Sequence, residues 1–162
     1  KRRDTMQNVR LEIAGWLGEN NRKYAEGEFD KLREAGLEDA FDYAGSIDRH
    51  AKIEFLQGLD VFSVPTTYCE PKGLFVLEAL AAGVPVVQPA HGAFPELLEA
   101  TGGGKLVPPN DPLALADELE NSLLDPSART ELRQAGAHNV HQNHNADAMA
   151  RKTLDVLREF LP

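Results

Sequence analysis

Apolar positions come in short blocks, separated by charged stretches or glycines. Residues 9–14 alternate apolar and polar and stop at Gly15, the pattern of a strand. Residues 20–35 are charged and helix-prone, with Tyr24, Leu32 and Ala35 as candidate inward positions and Gly36 as a stop. Residues 41–45 predict a short strand entering a turn, and Asp48 can cap a helix over 49–58. The run 60–64 predicts a buried strand ended by Pro65, and a polar loop follows over 66–73. A helix over 74–82 then stops at Gly83, and 84–87 predicts another short buried strand. Pro95 starts a short helix over 96–100, and the Gly102–Gly104 turn leads into a strand over 105–107. Pro112 and Pro126 open helices over 112–124 and 126–141, each with proline in its first turn, and the last helix spans 145–160. Strand followed by helix, repeated along one chain, predicts an α/β fold of three layers, a parallel sheet covered by helices on both faces.

Composition narrows this picture. The chain has 162 residues, enough for a single domain over 1–162 with a sizeable core, and 42% of them are hydrophobic. The formal net charge of −9 argues against a nucleic-acid partner. Cys69 is the sole cysteine, which excludes a disulfide framework and a cysteine zinc site, and a reducing cytoplasm is the simplest compartment. No apolar run is long enough to span a membrane. The opening Lys1-Arg2-Arg3-Asp4 reads as the end of a charged helix rather than the start of a folding unit.

Candidate chemistry centres on Glu70-Pro71-Lys72-Gly73-Leu74-Phe75-Val76-Leu77-Glu78. The helix from Leu74 is apolar on every side except at Glu78, so it is expected to be buried. A carboxylate there needs a partner or a ligand. A core salt bridge or a bond to a backbone amide is one reading; a bidentate grip on a sugar diol is the other. In an open parallel sheet, ligands bind where strands end and helices begin. Three such junctions occur: Gly45-Ser46-Ile47, Pro65 to Gly73, and Gln88 to Phe94. At the middle one, Gly73 allows close approach of a ligand, and the following helix N-terminus attracts anions such as phosphate. Lys72 either adds charge for a phosphate or is solvated. His91 either touches a sugar or phosphate or caps its turn. His138, His141 and His144 have helical spacing, but a polar helix end is favoured over a metal site there.

The run from Glu70 to Glu78, continued by Ala79-Leu80-Ala81-Ala82-Gly83-Val84-Pro85-Val86-Val87, resembles the signature of retaining glycosyltransferases of the GT-B fold, the glycosyl transferases group 1 family. Asp60 to Pro65, Gly92-Ala93-Phe94-Pro95-Glu96 and Gly104 to Asp111 resemble further family motifs in the same order. The resemblance implies a Rossmann-like, nucleotide-sugar-binding domain, the C-terminal half of a GT-B enzyme. It implies that Glu78 binds the donor ribose and that Glu70 lies by the transferred sugar and stabilises charge. It places the backbone of Lys72, Gly73 and Leu74 at the sugar or diphosphate, and Gly45, Ser46 and Ile47 at the nucleobase. It implies no metal and no cofactor beyond the nucleotide-sugar itself.

Departures from the family pattern set further expectations. The family's first, central strand, with its Gly-Arg…Lys-Gly segment, has no counterpart here, nor does the N-terminal acceptor domain. The chain is therefore read as a fragment, inactive alone, of a cytoplasmic enzyme whose peripheral membrane attachment would reside in the missing half. The sheet, without that strand, is expected to close by pairing of 9–14 with 60–64 or to pair across a homodimer. Competing readings are a GT-B nucleotide-sugar epimerase or phosphorylase, and a non-catalytic GT-B-like interaction domain.

Overall fold

The structure is a computed structural model and describes residues 6–160; the reading of Lys1 to Asp4 lies outside them. The chain divides into two compact units between Lys52 and Ile53.

In the first unit, strands β1 (Leu11–Ile13) and β2 (Phe41–Tyr43) pair in parallel, with Leu11 opposite Phe41 and Ile13 opposite Tyr43. Beyond the strands, the Gly15 N–H donates to the Gly45 carbonyl at 2.9 Å, and the Tyr43 hydroxyl donates to the Gly15 carbonyl at 2.7 Å. Helix α1 (Glu19–Glu34) covers this ribbon through Phe29, whose ring lies 5.5 Å from Phe41 and 5.7 Å from Tyr43. Tyr24, expected to face inward, is 72% exposed, and Ala35 is exposed as well. At 100° per residue, Ala25 and Phe29 share the Leu32 face, and Tyr24 falls outside it. Helix α2 (Arg49–Gln57) begins at Asp48, whose carboxylate accepts from the N–H groups of His50 and Ala51.

The second unit carries α3 (Leu74–Ala81), β3 (Val86–Pro89), α4 (Phe94–Thr101), β4 (Gly104–Val107), α5 (Pro112–Leu124), α6 (Pro126–Asn143) and α7 (Ala146–Arg158). The last three begin on side-chain caps from Asp111, Asp125 and Asn145. Strands β3 and β4 are parallel, with Val86 opposite Gly104 and Pro89 opposite Val107. The core gathers Val76, Ala79 and Leu80 of α3 with Val86, Phe94, Leu98 and Val140. Each of these valine, leucine and phenylalanine side chains contributes about 1.5–3 kcal/mol when fully buried. Helix α6 comes close to the turn after α4 because both sides are glycine: a Cβ on Gly103 would lie 2.7 Å from the Gly136 Cα and would collide with Leu80.

The parallel arrangement is as expected: each unit carries one two-stranded parallel sheet. Within 60–64 only Phe62 pairs, as an isolated parallel bridge to Val86. The cause is Val84-Pro85-Val86-Val87-Gln88-Pro89. In a parallel ladder alternate residues face the same neighbour, so residues 85, 87 and 89 would donate toward 60–64. The Val87 N–H does so, to the Phe62 carbonyl at 3.0 Å. Pro85 and Pro89 have no N–H to give. The Gln88 side chain then replaces a rung, its Oε1 accepting from the Val64 N–H at 3.3 Å. Gln88 is fully buried, and its Nε2 has no protein partner.

Candidate functional site

The loop between Val64 and α3 is shaped largely by Glu70. Its Oε1 accepts from the Lys72 and Gly73 N–H groups, both at 3.0 Å. Its Oε2 accepts from the Tyr68 hydroxyl at 3.3 Å. Its backbone carbonyl accepts from the Ala93 N–H at 2.8 Å. The two N–H bonds, Gly73 first and Lys72 second, hold the Glu70 carboxyl below its ordinary value of 4.5, because they favour the ionised form. Glu70 is therefore an anion at neutral pH, and one of its oxygens already closes the turn into α3.

Gly73 sits at the start of α3 with φ of 61°, and it is buried. A Cβ there would lie 2.8 Å from Leu97 Cδ1, so the glycine serves packing against α4 rather than open space for a ligand. Lys72 is exposed. The next two N–H groups, of Leu74 and Phe75, precede the first helical bond, from the Val76 N–H to the Gly73 carbonyl at 2.9 Å.

Glu78 requires a correction. Helix α3 buries Val76, Ala79 and Leu80, whereas Glu78 is exposed and Leu74, one turn before it, is 60% exposed. Phe75 and Leu77 are half-buried against the core and only the Leu74–Glu78 stripe is open, so the apolar sequence did not imply burial all round. The desolvation argument for a ligand at Glu78 falls, and what remains is placement: Leu74 and Glu78 share one open face that begins at the Glu70 turn.

The third junction is packed onto this loop. A Cβ on Gly92, at φ of 57°, would lie 2.5 Å from the Glu70 carbonyl oxygen and 2.6 Å from its nitrogen. His91 Nε2 lies 3.4 Å from Thr66 Oγ1, and its ring meets Phe94 edge-on at 6.0 Å. The Thr66 hydroxyl donates to the Tyr68 carbonyl at 3.0 Å. His91 is thus a brace for the loop. Glu70, Lys72, Gly73, Leu74, Glu78 and His91 therefore belong to one continuous construction. Gly45, Ser46 and Ile47 lie in the first unit, where Gly45 turns the chain at φ of 71° after β2.

Two features escaped the sequence reading. One is Tyr68 at Glu70. The other is a cleft of about 340 Å³ at the C-terminal ends of β3 and β4, lined by Pro65, Thr66, Pro89, Val107, Asn110 and Leu115 among others. Its lining residues are far apart in sequence, so no local pattern marks it. Among the described residues no three His, Cys, Asp or Glu side chains form a metal-binding group; His141 Nε2 instead lies 3.1 Å from the Ala81 carbonyl. No described helix is long and apolar enough to cross a membrane.

Comparison with known proteins agrees with the motifs. The model of the glycosyl transferases group 1 family matches residues 1–139, and the chain belongs to that family. It is 35% identical over 128 residues to the putative colanic acid biosynthesis glycosyltransferase WcaL of Salmonella typhimurium, covering 75% of this chain and 32% of that protein. It is 33% identical over 151 residues to the D-inositol 3-phosphate glycosyltransferase of Xylanimonas cellulosilytica, covering 93% of this chain and 35% of that protein. The chain thus spans about a third of the length of these relatives. Among solved structures it resembles sucrose-phosphate synthase from Thermosynechococcus elongatus, with a TM-score of 0.81, 29% identity and coverage of 93% of this chain and 38% of the other. It also shares its fold with Anabaena Alr3699/HepE in complex with UDP, at a TM-score of 0.86 and 20% identity, over 94% of this chain and 42% of the other. These neighbours are glycosyltransferases of the GT-B fold.

Proposed function

We propose that this chain is the donor-binding domain of a retaining glycosyltransferase, which transfers a sugar from a nucleotide-sugar to an acceptor bound by the rest of the enzyme. The observation that carries the reading is the Glu70 turn, an ionised carboxylate fixed at the N-terminus of α3 and followed on one open face by Leu74 and Glu78. Glu78 takes the ribose hydroxyls, a carboxylate being able to accept both. The N–H groups of Leu74 and Phe75, with the positive end of α3, take the diphosphate or the sugar. Lys72 adds a mobile positive charge at the same end. Glu70 stays ionised beside the transferred sugar and stabilises the positive charge that develops as the bond to the diphosphate breaks. The UDP held by the HepE structure is a ligand of the class this reading requires. In this reading the chain holds no metal or cofactor, and donor and acceptor meet only in the full-length protein.

The test is calorimetric titration of the full-length protein with UDP-, GDP- and ADP-linked hexoses. At least one should bind, and Glu78→Gln should weaken that binding by about tenfold or more, the loss of one charge-assisted hydrogen-bond acceptor of about 1.5–3 kcal/mol. If no nucleotide-sugar binds, or if Glu78→Gln leaves the affinity untouched, the donor-site reading fails.

A further inference from the structure

Tyr68 is held at both ends and open in the middle. Its backbone carbonyl accepts from the Thr66 hydroxyl at 3.0 Å, and its own hydroxyl donates to Glu70 Oε2 at 3.3 Å. Its side chain is 60% exposed. The other aromatic side chains of this region, Phe62, Phe75, Phe94 and His91, are paired with one another, whereas Tyr68 stacks on no ring among the described residues. Tyr68 therefore adds nothing to the core, yet its ring is fixed beside the carboxylate already placed at the transferred sugar.

A hexose has a rim of hydroxyls and faces of weakly positive C–H groups. A carboxylate accepts from the rim. An aromatic face, negative at its centre, attracts the C–H groups. Glu70 Oε1 is committed to the turn, so Oε2 and the Tyr68 hydroxyl are the groups left for the rim, with the Tyr68 ring beside them for a face. Because Thr66 fixes the Tyr68 backbone and the Glu70 bond restricts the ring, less side-chain freedom is lost when a sugar arrives.

We propose that Tyr68 is a stacking residue for the sugar half of the donor, so that the Tyr68–Glu70 pair distinguishes a nucleotide-sugar from the free nucleotide. The proposal rests on the donor-site reading given above and assigns that site a sugar-recognising residue. The readout is therefore a ratio, the affinity for a nucleotide-hexose divided by that for the matching nucleoside diphosphate, measured calorimetrically on the full-length protein with UDP, GDP and ADP and their hexose conjugates. Tyr68→Ala should lower the ratio about tenfold and leave the diphosphate affinity within about twofold, as expected for a lost aromatic contact. Tyr68→Phe keeps the ring and should retain most of the ratio. An unchanged ratio in Tyr68→Ala, with nucleotide binding still dependent on Glu78, overturns the stacking role and spares the donor site. So does an equal loss for both ligands, or a Tyr68→Phe variant as impaired as Tyr68→Ala. Absence of any binding by the unsubstituted protein removes the donor-site reading, and the stacking role with it.

Discussion

Gly92→Ala is expected to dislodge the loop that carries Glu70. The new Cβ would lie 2.5 Å and 2.6 Å from the Glu70 carbonyl oxygen and nitrogen, both backbone atoms that no side-chain rotation can move aside. The left-handed φ of 57° adds about 1–2 kcal/mol for any residue with a Cβ. Relief requires the two segments to part, which stretches the 2.8 Å bond from the Ala93 N–H to the Glu70 carbonyl. A total cost of about 2–4 kcal/mol is expected, at the upper end for a single substitution. Gly102→Ala is the matched control. It has the same backbone sign, at φ of 64°, but its Cβ would meet nothing nearer than the Ala135 Cβ at 3.6 Å. It should lose only the backbone part, about 1–2 kcal/mol. Denaturant midpoints of the two variants, with amide exchange at Lys72, Gly73 and Ala93, separate the effects. Equal midpoints, or unaltered exchange at those amides in Gly92→Ala, would show that the close approach does not hold the loop.

The helices were the legible part of this sequence, and their starts explain why. Asp111-Pro112 and Asp125-Pro126 place a capping carboxylate and a proline where only a helix N-terminus uses both, and each is found capping. The strands were legible as apolar runs, but not their pairing, which depends on which edge each N–H faces. Pro85 and Pro89 carried that information: prolines four apart silence the same edge twice, and 60–64 is left with one bridge. At the site, Glu70 and Glu78 were legible by position, and their surroundings were not. The composition of α3 suggested burial of Glu78, although an eight-residue helix can bury Val76, Ala79 and Leu80 and still leave the Leu74–Glu78 face open. Glu70 was read as facing a ligand; its first partners are the N–H groups of its own loop, a local side-chain-to-backbone contact that the motif does not reveal.

That double use of Glu70 leads to the second large effect, a split between two substitutions in the full-length enzyme. Glu70→Gln removes the charge but keeps an oxygen that can accept from the Lys72 and Gly73 N–H groups. Glu70→Ala removes both. If Glu70 stabilises charge in the transition state, Glu70→Gln should lower kcat by about 10²–10³-fold, the usual effect of deleting one such group, with little change in donor KM. Glu70→Ala should match that loss in kcat and also raise KM, because the turn into α3 loses its acceptor. Acid provides an independent check of the turn. The Glu70 carboxyl is held below 4.5 in the folded chain, so its contribution to the turn is fully present above that value and is lost as pH falls through the lowered one. The amide resonances of Lys72 and Gly73 should therefore move only on acidification below 4.5, and in Glu70→Gln this movement should vanish. A Glu70→Gln enzyme with near-normal kcat would assign the carboxylate to the turn alone and move the search for charge stabilisation to other residues around the donor.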